Sequence, residues 1–485
     1  MENPHIVVVG GGITGLTAAY RLQTMSRQCD TPIRVTLMES DGRLGGKILT
    51  DRTDGMVIEA GPDSFLSSKP AALELCRALG LEDAVIGTTE SGVGTFILRN
   101  GRLEPLPEGI TMLVPTKFKP LVTSRLLSPL GKLRMGLDFF IPARRDPEDE
   151  SVGHFVRRRL GREAFERMAQ PLLSGIYAGD ADRLSLAATF PRLRDTELKY
   201  GSLTKGMLAQ RKQAATRPQT GPKRSAFLSL RGGVGELTDA LGEALTNVDV
   251  MLRTAVTSID RRDDGQYDVS LPDGSTVAAD GLILAVPAYA ASEMLGRLEP
   301  AVASLLSHIP YVSTATVTLA YRAQDVAGSG AGRGFVIPRI ENRELTAITW
   351  VTQKFSFRAP EGVALVRAFV GRAGREEAVE LSDDDLLLLV RRELDEILGI
   401  KAEPLDARIY RWRRALPQYV LGHLERLAEI DERMASMPSV QLAGAAYRGV
   451  GIPDCIQSGR SAAVKVLEAV GLSSSSGVEQ RNTLA

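Results

Sequence analysis

His5-Ile6-Val7-Val8-Val9-Gly10-Gly11-Gly12-Ile13-Thr14-Gly15-Leu16 is the stretch from which the fold of this chain can be read. The β-branched run reads as a buried parallel strand. It breaks at Gly10-x-Gly12-x-x-Gly15 and continues into Leu16-Thr17-Ala18-Ala19-Tyr20-Arg21-Leu22, a helix pattern. The three glycines serve a tight turn, close backbone approach to a pyrophosphate, and close packing of helix on strand. A helix starting there presents unpaired N–H groups and its positive dipole end to an anion.

Working outward, Arg34-Val35-Thr36-Leu37-Met38 reads as the second strand of a βαβ unit, with Glu39 at its end. That is where a carboxylate accepts a hydrogen bond from an adenosine ribose. A negative charge there repels a 2′-phosphate, so the pattern favours FAD or NAD over NADP. Glu39 leads into Arg43-Leu44-Gly45-Gly46-Lys47, an E-x-x-x-R-x-G-G pattern that resembles the glycine-doublet flavoproteins. These include amine oxidases, phytoene desaturases and protoporphyrinogen oxidases, and the resemblance implies FAD. Beside the fingerprint, Arg43 and Lys47 are candidates to neutralise the pyrophosphate, and Gly45 and Gly46 let the backbone approach it.

Composition narrows the classes. The 485 residues are long for one core, so two or three domains are expected. A formal net charge of zero gives no support to a nucleic-acid partner. Three scattered cysteines, Cys29, Cys76 and Cys455, fit a reducing cytoplasm better than a disulfide framework. The first strand begins at once, so no signal peptide is expected, and no apolar run approaches the ~20 residues of a spanning helix. The four histidines lie far apart without ligand spacing, so no metal site is expected.

Further along, Gly61-Pro62-Asp63-Ser64-Phe65 ends a strand, and Lys69-Pro70 opens a helix that stops at Gly80. Thr95 to Leu103 reads as a hairpin turning at Asn100-Gly101. Behind Ser151, Val152, Phe155, Val156 and Leu160 share one helical face, flanked by Arg157, Arg158, Arg159 and Arg162. A basic amphipathic helix of this kind rests on a membrane or forms a solvated face. Residues 211–225 read as a polar, basic loop, and 250–287 as strands hung on the dinucleotide sheet. Strands near 312–321, 334–338, 347–352 and 364–371 make a separate mixed sheet, followed by a helix from Asp383 to Leu398 capped by Ser382. Val440 to Gly444 returns as a strand, and a helix beginning near Pro453 offers its amides to the negative charge of a reduced flavin.

Four blocks then match one family: the fingerprint, Gly61 to Phe65, Pro171-Leu172-Leu173-Ser174-Gly175-Ile176-Tyr177-Ala178-Gly179-Asp180, and Gly449-Val450-Gly451-Ile452-Pro453-Asp454-Cys455-Ile456. The chain resembles the protoporphyrinogen oxidase family, in particular its Gram-positive branch acting on coproporphyrinogen III. The resemblance implies an α/β architecture: a two-dinucleotide-binding, Rossmann-like FAD domain (1–66, 226–290, 411–471), a mixed-sheet substrate domain (67–104, 171–225, 291–410) and a helical, membrane-facing-type domain (105–170). A disordered tail (472–485) completes the division.

It further implies FAD contacts at Gly10 to Gly15, Glu39, Ser40, Arg43, Lys47, Gly61 to Ser64, the Val256 backbone, Trp412, and Gly449, Val450, Gly451 and Ile452. Phe65, Lys69, Ile176 and Arg448 are candidates for the substrate, the two cations for its propionates. No side-chain acid or base is singled out, because aromatisation drives the oxidation and flavin N5 takes the hydride. Cys455 reads as a buried structural cysteine, so FAD is expected to be non-covalent. The implied reaction removes six electrons, with oxygen as acceptor and hydrogen peroxide released. A cytoplasmic enzyme is expected, with peripheral membrane contact and a haem-pathway partner such as a ferrochelatase as further expectations. Protoporphyrinogen IX, or an amine or carotenoid-type substrate, are the alternatives.

Overall fold

The computed structural model describes residues 3–28, 32–89, 94–111, 114–115, 117–216, 225–329 and 332–472. Cys29 and the expected tail from Ser473 onward lie outside the described residues.

The strand His5–Val9 is buried at every position, which suits the apolar, β-branched run Ile6 to Val9. It sits mid-sheet, with Val7 opposite Thr36 on one side and Leu282 on the other. The parallel sheet runs in the order Asp249–Met251, Arg34–Met38, His5–Val9, Gly281–Leu284, Val440–Leu442. Segments from the two ends of the chain thus share one sheet. Helices Ile13–Gln28, Gly235–Ala244 and Ile452–Ala469 contribute Leu16, Leu237, Ile456 and Val466 to the core on one face. The fingerprint helix and the Ile452–Ala469 helix cross closely at Gly459, where a Cβ would lie 2.2 Å from the Thr14 carbonyl oxygen. The other face carries an antiparallel meander, Ser258–Arg261, Tyr267–Ser270 and Thr276–Ala279.

A second, seven-stranded sheet has the order Asp406–Pro417, Tyr311–Arg322, Val363–Val370, Leu345–Trp350, Gly334–Val336, Thr95–Arg99, Arg102–Pro105. The helix Asp383–Leu398 covers one face with Leu386, Val390 and Leu394, and Ser382 caps it by accepting from the Asp385 amide at 3.2 Å. The other face is bolted to the nucleotide-binding elements, since Thr316, Arg367 and Trp412 all donate to the Ala60 carbonyl. The hairpin turn Asn100-Gly101 has both residues at positive φ, 50° and 73°. That is the geometry a two-residue turn requires. The edge strand Asp406–Pro417 runs through the boundary expected at 410/411. Its Arg408, Arg411 and Arg413 mask its strand character, and such charges suit an exposed edge.

The helical region corrects two expectations. Leu203–Thr216 is a helix, so residues 211–216 belong to it rather than to a basic loop, and 217–224 lie outside the described residues. The Val152–Leu160 helix is capped by Ser151 as expected; Arg157 and Arg162 stay exposed, but Arg158 and Arg159 turn inward rather than forming a solvated or membrane-facing row. Arg158 pairs with Glu150 at 2.7 Å and Glu197 at 2.6 Å, and Arg157 pairs with Asp182. Arg159 is fully buried on Asp138 at 2.5 Å, whose other oxygen takes the Ser202 hydroxyl and the Thr204 amide. Burial pushes the Glu197 carboxyl up, but Arg158 outweighs it and holds the group below its ordinary value. Arg159→Ala is expected to destabilise the fold by about 3–5 kcal/mol, because it strands a buried carboxylate; the midpoint of denaturant unfolding reads this.

The apolar exposure lies elsewhere. Leu130, Leu133, Leu137 and Phe140 recur at three- and four-residue spacing and are 77%, 66%, 44% and 82% exposed, with Val122 nearby in sequence at 65%. No helix among the described residues is long and apolar enough to cross a membrane.

Candidate functional site

The fingerprint glycines divide their work as the spacing requires. Gly10 has φ +102°, and a Cβ on it would lie 2.7 Å from the Ala285 carbonyl oxygen. A Cβ on Gly15 would lie 1.9 Å from the Gly10 carbonyl oxygen. Gly12 differs: its φ is not positive, and a Cβ there would meet no protein atom within 4 Å. Its lack of a side chain keeps space open rather than relieving contact with the protein.

The glycine doublet packs directly on this turn. The Gly45 amide donates to the Gly11 carbonyl at 2.8 Å, and Gly12 and Gly45 form a parallel bridge. Gly46, at φ +57°, comes within 3.1 Å of the Gly12 Cα as measured from an added Cβ. Glu39 joins the two segments: its Oε2 accepts from the Gly11 amide at 2.6 Å, while Oε1 accepts from the Asp41 amide at 2.8 Å and the Ser40 hydroxyl at 3.1 Å. A carboxylate has lone pairs left after these bonds.

The doublet's cations lie inward. Arg43 donates to the Leu44 and Gly46 carbonyls, and the half-buried Lys47 ammonium donates to the Ala415 carbonyl at 2.5 Å. Burial lowers the Lys47 pKa. Neither cation has a carboxylate partner among the described residues, so their charge is uncompensated beside the turn. The Val256 N–H and C=O make no hydrogen bond among the described residues, and neither do the Val450 and Gly451 amides that precede the Ile452–Ala469 helix. An open glycine cradle, unpaired amides and uncompensated cations fit a dinucleotide that supplies phosphate oxygens and ring acceptors.

The Gly61-Pro62 turn is held from below by charges that local sequence patterns did not single out. Asp63 takes Lys354 at 2.7 Å and the Ser64 hydroxyl at 2.7 Å. Burial works to raise its pKa, but Lys354 and Arg367 reverse this and hold the carboxyl well below its ordinary range. Arg367 also donates to the Gly61 carbonyl at 2.5 Å. Trp412 reaches the site through its indole N–H, which donates to the Ala60 carbonyl at 2.8 Å. Arg367 had a signal in the sequence: it is a lone arginine in the apolar strand Val363–Val370. Lys354 had none.

The structure brings the fourth block, Lys69 and the Pro171–Asp180 block together. Lys69 lies 2.6 Å from both oxygens of Asp454 in the first turn of the Ile452–Ala469 helix. Burial and then Asp454 push the Tyr177 phenol up to about 12, which places Tyr177 near that carboxylate. Tyr419 closes the group: it donates to the Ala445 carbonyl at 2.6 Å and accepts from the Gly449 amide at 2.8 Å. Its ring stacks on His423 at 4.2 Å, and His423 Nε2 donates to the Tyr447 carbonyl at 2.9 Å.

Tyr419→Phe is expected to cost about 1–3 kcal/mol through the unpaired Gly449 and Ala445 groups, seen in the unfolding midpoint. Burial lowers the His423 and His5 pKa values from about 6.5. Below pH 6.5 the unfolded chain therefore binds protons that the folded chain refuses. Stability is expected to decline as pH falls from 6.5 toward 5, in unfolding midpoints taken across that range.

Two of the substrate candidates, Phe65 and Arg448, lie differently from their expected places. Ile176 is half exposed on the Gln170–Tyr177 helix. Phe65 is 3% exposed and belongs to the core beneath the fingerprint helix, so its side chain is packing rather than a cleft wall. Arg448 turns outward to pair with Asp431, away from the Gly449 turn. Val256 is buried, with only its backbone available. Cys455 is a buried free thiol whose pKa burial raises to about 11, as expected for a structural cysteine.

The family model for flavin containing amine oxidoreductase matches residues 13–467. The chain is 41% identical to the coproporphyrinogen III oxidase of Bacillus subtilis, over 94% of this chain and 97% of that protein. The chain belongs to the protoporphyrinogen oxidase family. As a member of it, the chain is an oxidoreductase with a flavoprotein fold. It is also 36% identical to the coproporphyrinogen III oxidase of Staphylococcus aureus, over 95% of this chain and 98% of that one. The chloroplastic protoporphyrinogen oxidase 1 of spinach is 33% identical, over 95% and 84%. A provisionally named protoporphyrinogen oxidase from Exiguobacterium superposes with a TM-score of 0.84 at 35% identity, covering 97% of this chain and 99% of that structure.

Proposed function

We propose that the chain oxidises coproporphyrinogen III to coproporphyrin III, using non-covalent FAD and molecular oxygen. The observation that carries this reading is the near full-length similarity to bacterial coproporphyrinogen III oxidases, at 36–41% identity against 31–33% for the plant and bovine protoporphyrinogen oxidases. Gly10 to Gly15, Glu39 and the Val256 backbone would hold the adenosine and phosphates, with Arg43 and Lys47 supplying charge. Gly61 to Ser64 and the amides at Val450 and Gly451 would frame the ring. When bound, the flavin supplies the two-electron acceptor.

The protein's part is orientation and charge. Arg367, Thr316 and Trp412 fix the Ala60-Gly61 carbonyls, and Tyr419 fixes the Gly449 amide, so both walls of the proposed ring site would be held by hydrogen bonds. Lys69 presents a half-exposed cation beside the Pro171–Asp180 block for a substrate propionate. Six hydrogens separate porphyrinogen from porphyrin, so three molecules of oxygen are consumed and three of hydrogen peroxide released. The test is aerobic porphyrin fluorescence from purified protein with either porphyrinogen, against a flavin-stripped control. Flavin-dependent product with coproporphyrinogen ahead supports the reading. Preference for protoporphyrinogen moves the enzyme to that substrate, and inactivity on both overturns it.

Peripheral membrane contact is carried by the exposed apolar residues Leu130, Leu133, Leu137 and Phe140, with exposed Lys119 and Arg125 in the preceding segment, rather than by the arginine helix. Co-flotation with anionic liposomes at low salt, lost in Leu133→Glu/Phe140→Glu, is the expected result. Failure of the unmodified protein to float refutes it.

A further inference from the structure

Behind the Pro171–Asp180 block lies a cavity of about 300 Å³ lined by Arg183, Arg339, Arg372 and Arg375, with Asp180 as the one acid among the described residues on its wall. The block and a glycine-containing turn after the Val363–Val370 strand build it together, since the Ala373 amide donates to the Ala178 carbonyl at 2.7 Å. Arg339 ties the two sides: its guanidinium donates to the Gly179 carbonyl at 3.1 Å and the Ala373 carbonyl at 3.2 Å. Its own amide donates to Gln170 Oε1 at 3.0 Å, at the start of the same helix.

The arginines outnumber the lining carboxylates, although Arg375 also donates to Asn342 Oδ1, Arg372 to the Arg343 carbonyl, and Asp182 acts on Arg339. Asp180 stands 3.8 Å from Arg339, and Glu344 stands 3.7 Å from Arg375. Glu393 also acts on Arg372, but its carboxylate accepts from the Glu344 and Leu345 amides. Arg183 forms no side-chain hydrogen bond or ion pair among the described residues, and Arg339 Nε is buried without a partner. Arg372 is 3% exposed; burial and the neighbouring Arg339 and Arg375 push it down to about 10. Four arginine side chains line this cavity against one lining carboxylate, so its wall carries a net positive charge that favours an anion. Their planar forks suit an oxyanion with several acceptors.

We propose that this arginine cavity binds a phosphate-type dianion, separately from the flavin site. The space exceeds what a bare phosphate fills, so a free phosphate and a phosphate ester are both accommodated by the same chemistry. The site shares no residue with the Gly10–Gly15 turn or the Gly449 turn.

The test uses the flavin-loaded protein, in which the dinucleotide phosphates already fill the fingerprint turn. Titration calorimetry with inorganic phosphate, and separately with ribose 5-phosphate, is run against chloride at matched ionic strength. Saturable binding of one equivalent is expected, weakened about tenfold or more in Arg183→Gln/Arg375→Gln, with flavin content and unfolding midpoint retained. Binding of inorganic phosphate identifies a free-anion site; binding of the ester alone identifies an ester site. Both support the proposal. Arg183→Gln alone, the more exposed change, gives an intermediate loss. Absence of saturable binding for both probes overturns the proposal, as does an isotherm unchanged in the double variant.

Discussion

Gly12→Val is expected to give a folded protein that purifies without its yellow flavin. The argument rests on what surrounds each fingerprint glycine. Gly12 has no positive φ, so valine meets no backbone strain there, and an added Cβ reaches no protein atom within 4 Å. The fold therefore loses within about 0.5 kcal/mol, as at an open surface position. The same isopropyl group occupies the space that the fingerprint reserves for a pyrophosphate. Flavin affinity is expected to fall at least about a hundredfold, or roughly 2.7 kcal/mol. Gly15→Val is the contrasting case. Its Cβ would lie 1.9 Å from the Gly10 carbonyl oxygen, so it damages the fold itself and lowers the unfolding midpoint. Absorbance at the flavin band, set beside far-ultraviolet circular dichroism, separates the two. A Gly12→Val protein that retains one flavin per chain would remove this turn from the cofactor site.

The parts of the molecule legible in the sequence are those where one local pattern dictates one geometry. The fingerprint strand, its turn and its helix are such a case, as are the Asn100-Gly101 hairpin and the Ser382 cap. The arginine helix shows where local reading stops. Val152–Leu160 has the periodicity of an amphipathic helix, but the partners of Arg158 and Arg159 are Glu150, Glu197 and Asp138, and the last two lie on other elements. Without those partners a row of arginines reads as solvated. The Asp406–Pro417 strand is a second case, because its charged residues suit an edge only once the neighbouring strand Tyr311–Arg322 is known. At the site, Asp63 was legible and Lys354 was not. The pair joins residues 291 positions apart, and nothing near Lys354 distinguishes it from a surface lysine.

Lys69→Ala is expected to raise KM for coproporphyrinogen about tenfold or more while leaving kcat nearly unchanged. A charge-assisted hydrogen bond to a carboxylate contributes about 1.5–3 kcal/mol, and a propionate far from the reacting carbon is bound equally in ground and transition states. In the structure, however, Lys69 already holds a carboxylate, both oxygens of Asp454 at 2.6 Å. A propionate must therefore displace or share that partner. The pair is 47% and 23% exposed, so it is worth no more than about 1 kcal/mol and is readily exchanged. Asp454→Asn keeps the side chain's size beneath Gly449 but removes the competing charge. It is expected to lower KM by a few-fold, up to about fivefold. Its direction is the informative part, because a carboxylate that merely held Lys69 in place would raise KM when lost. Lys69→Ala/Asp454→Asn should then match Lys69→Ala alone, since Asp454 acts only through the lysine. KM unchanged in Lys69→Ala would release Lys69 from the substrate. KM raised in Asp454→Asn would make Asp454 a positioning residue for Lys69 instead of its competitor.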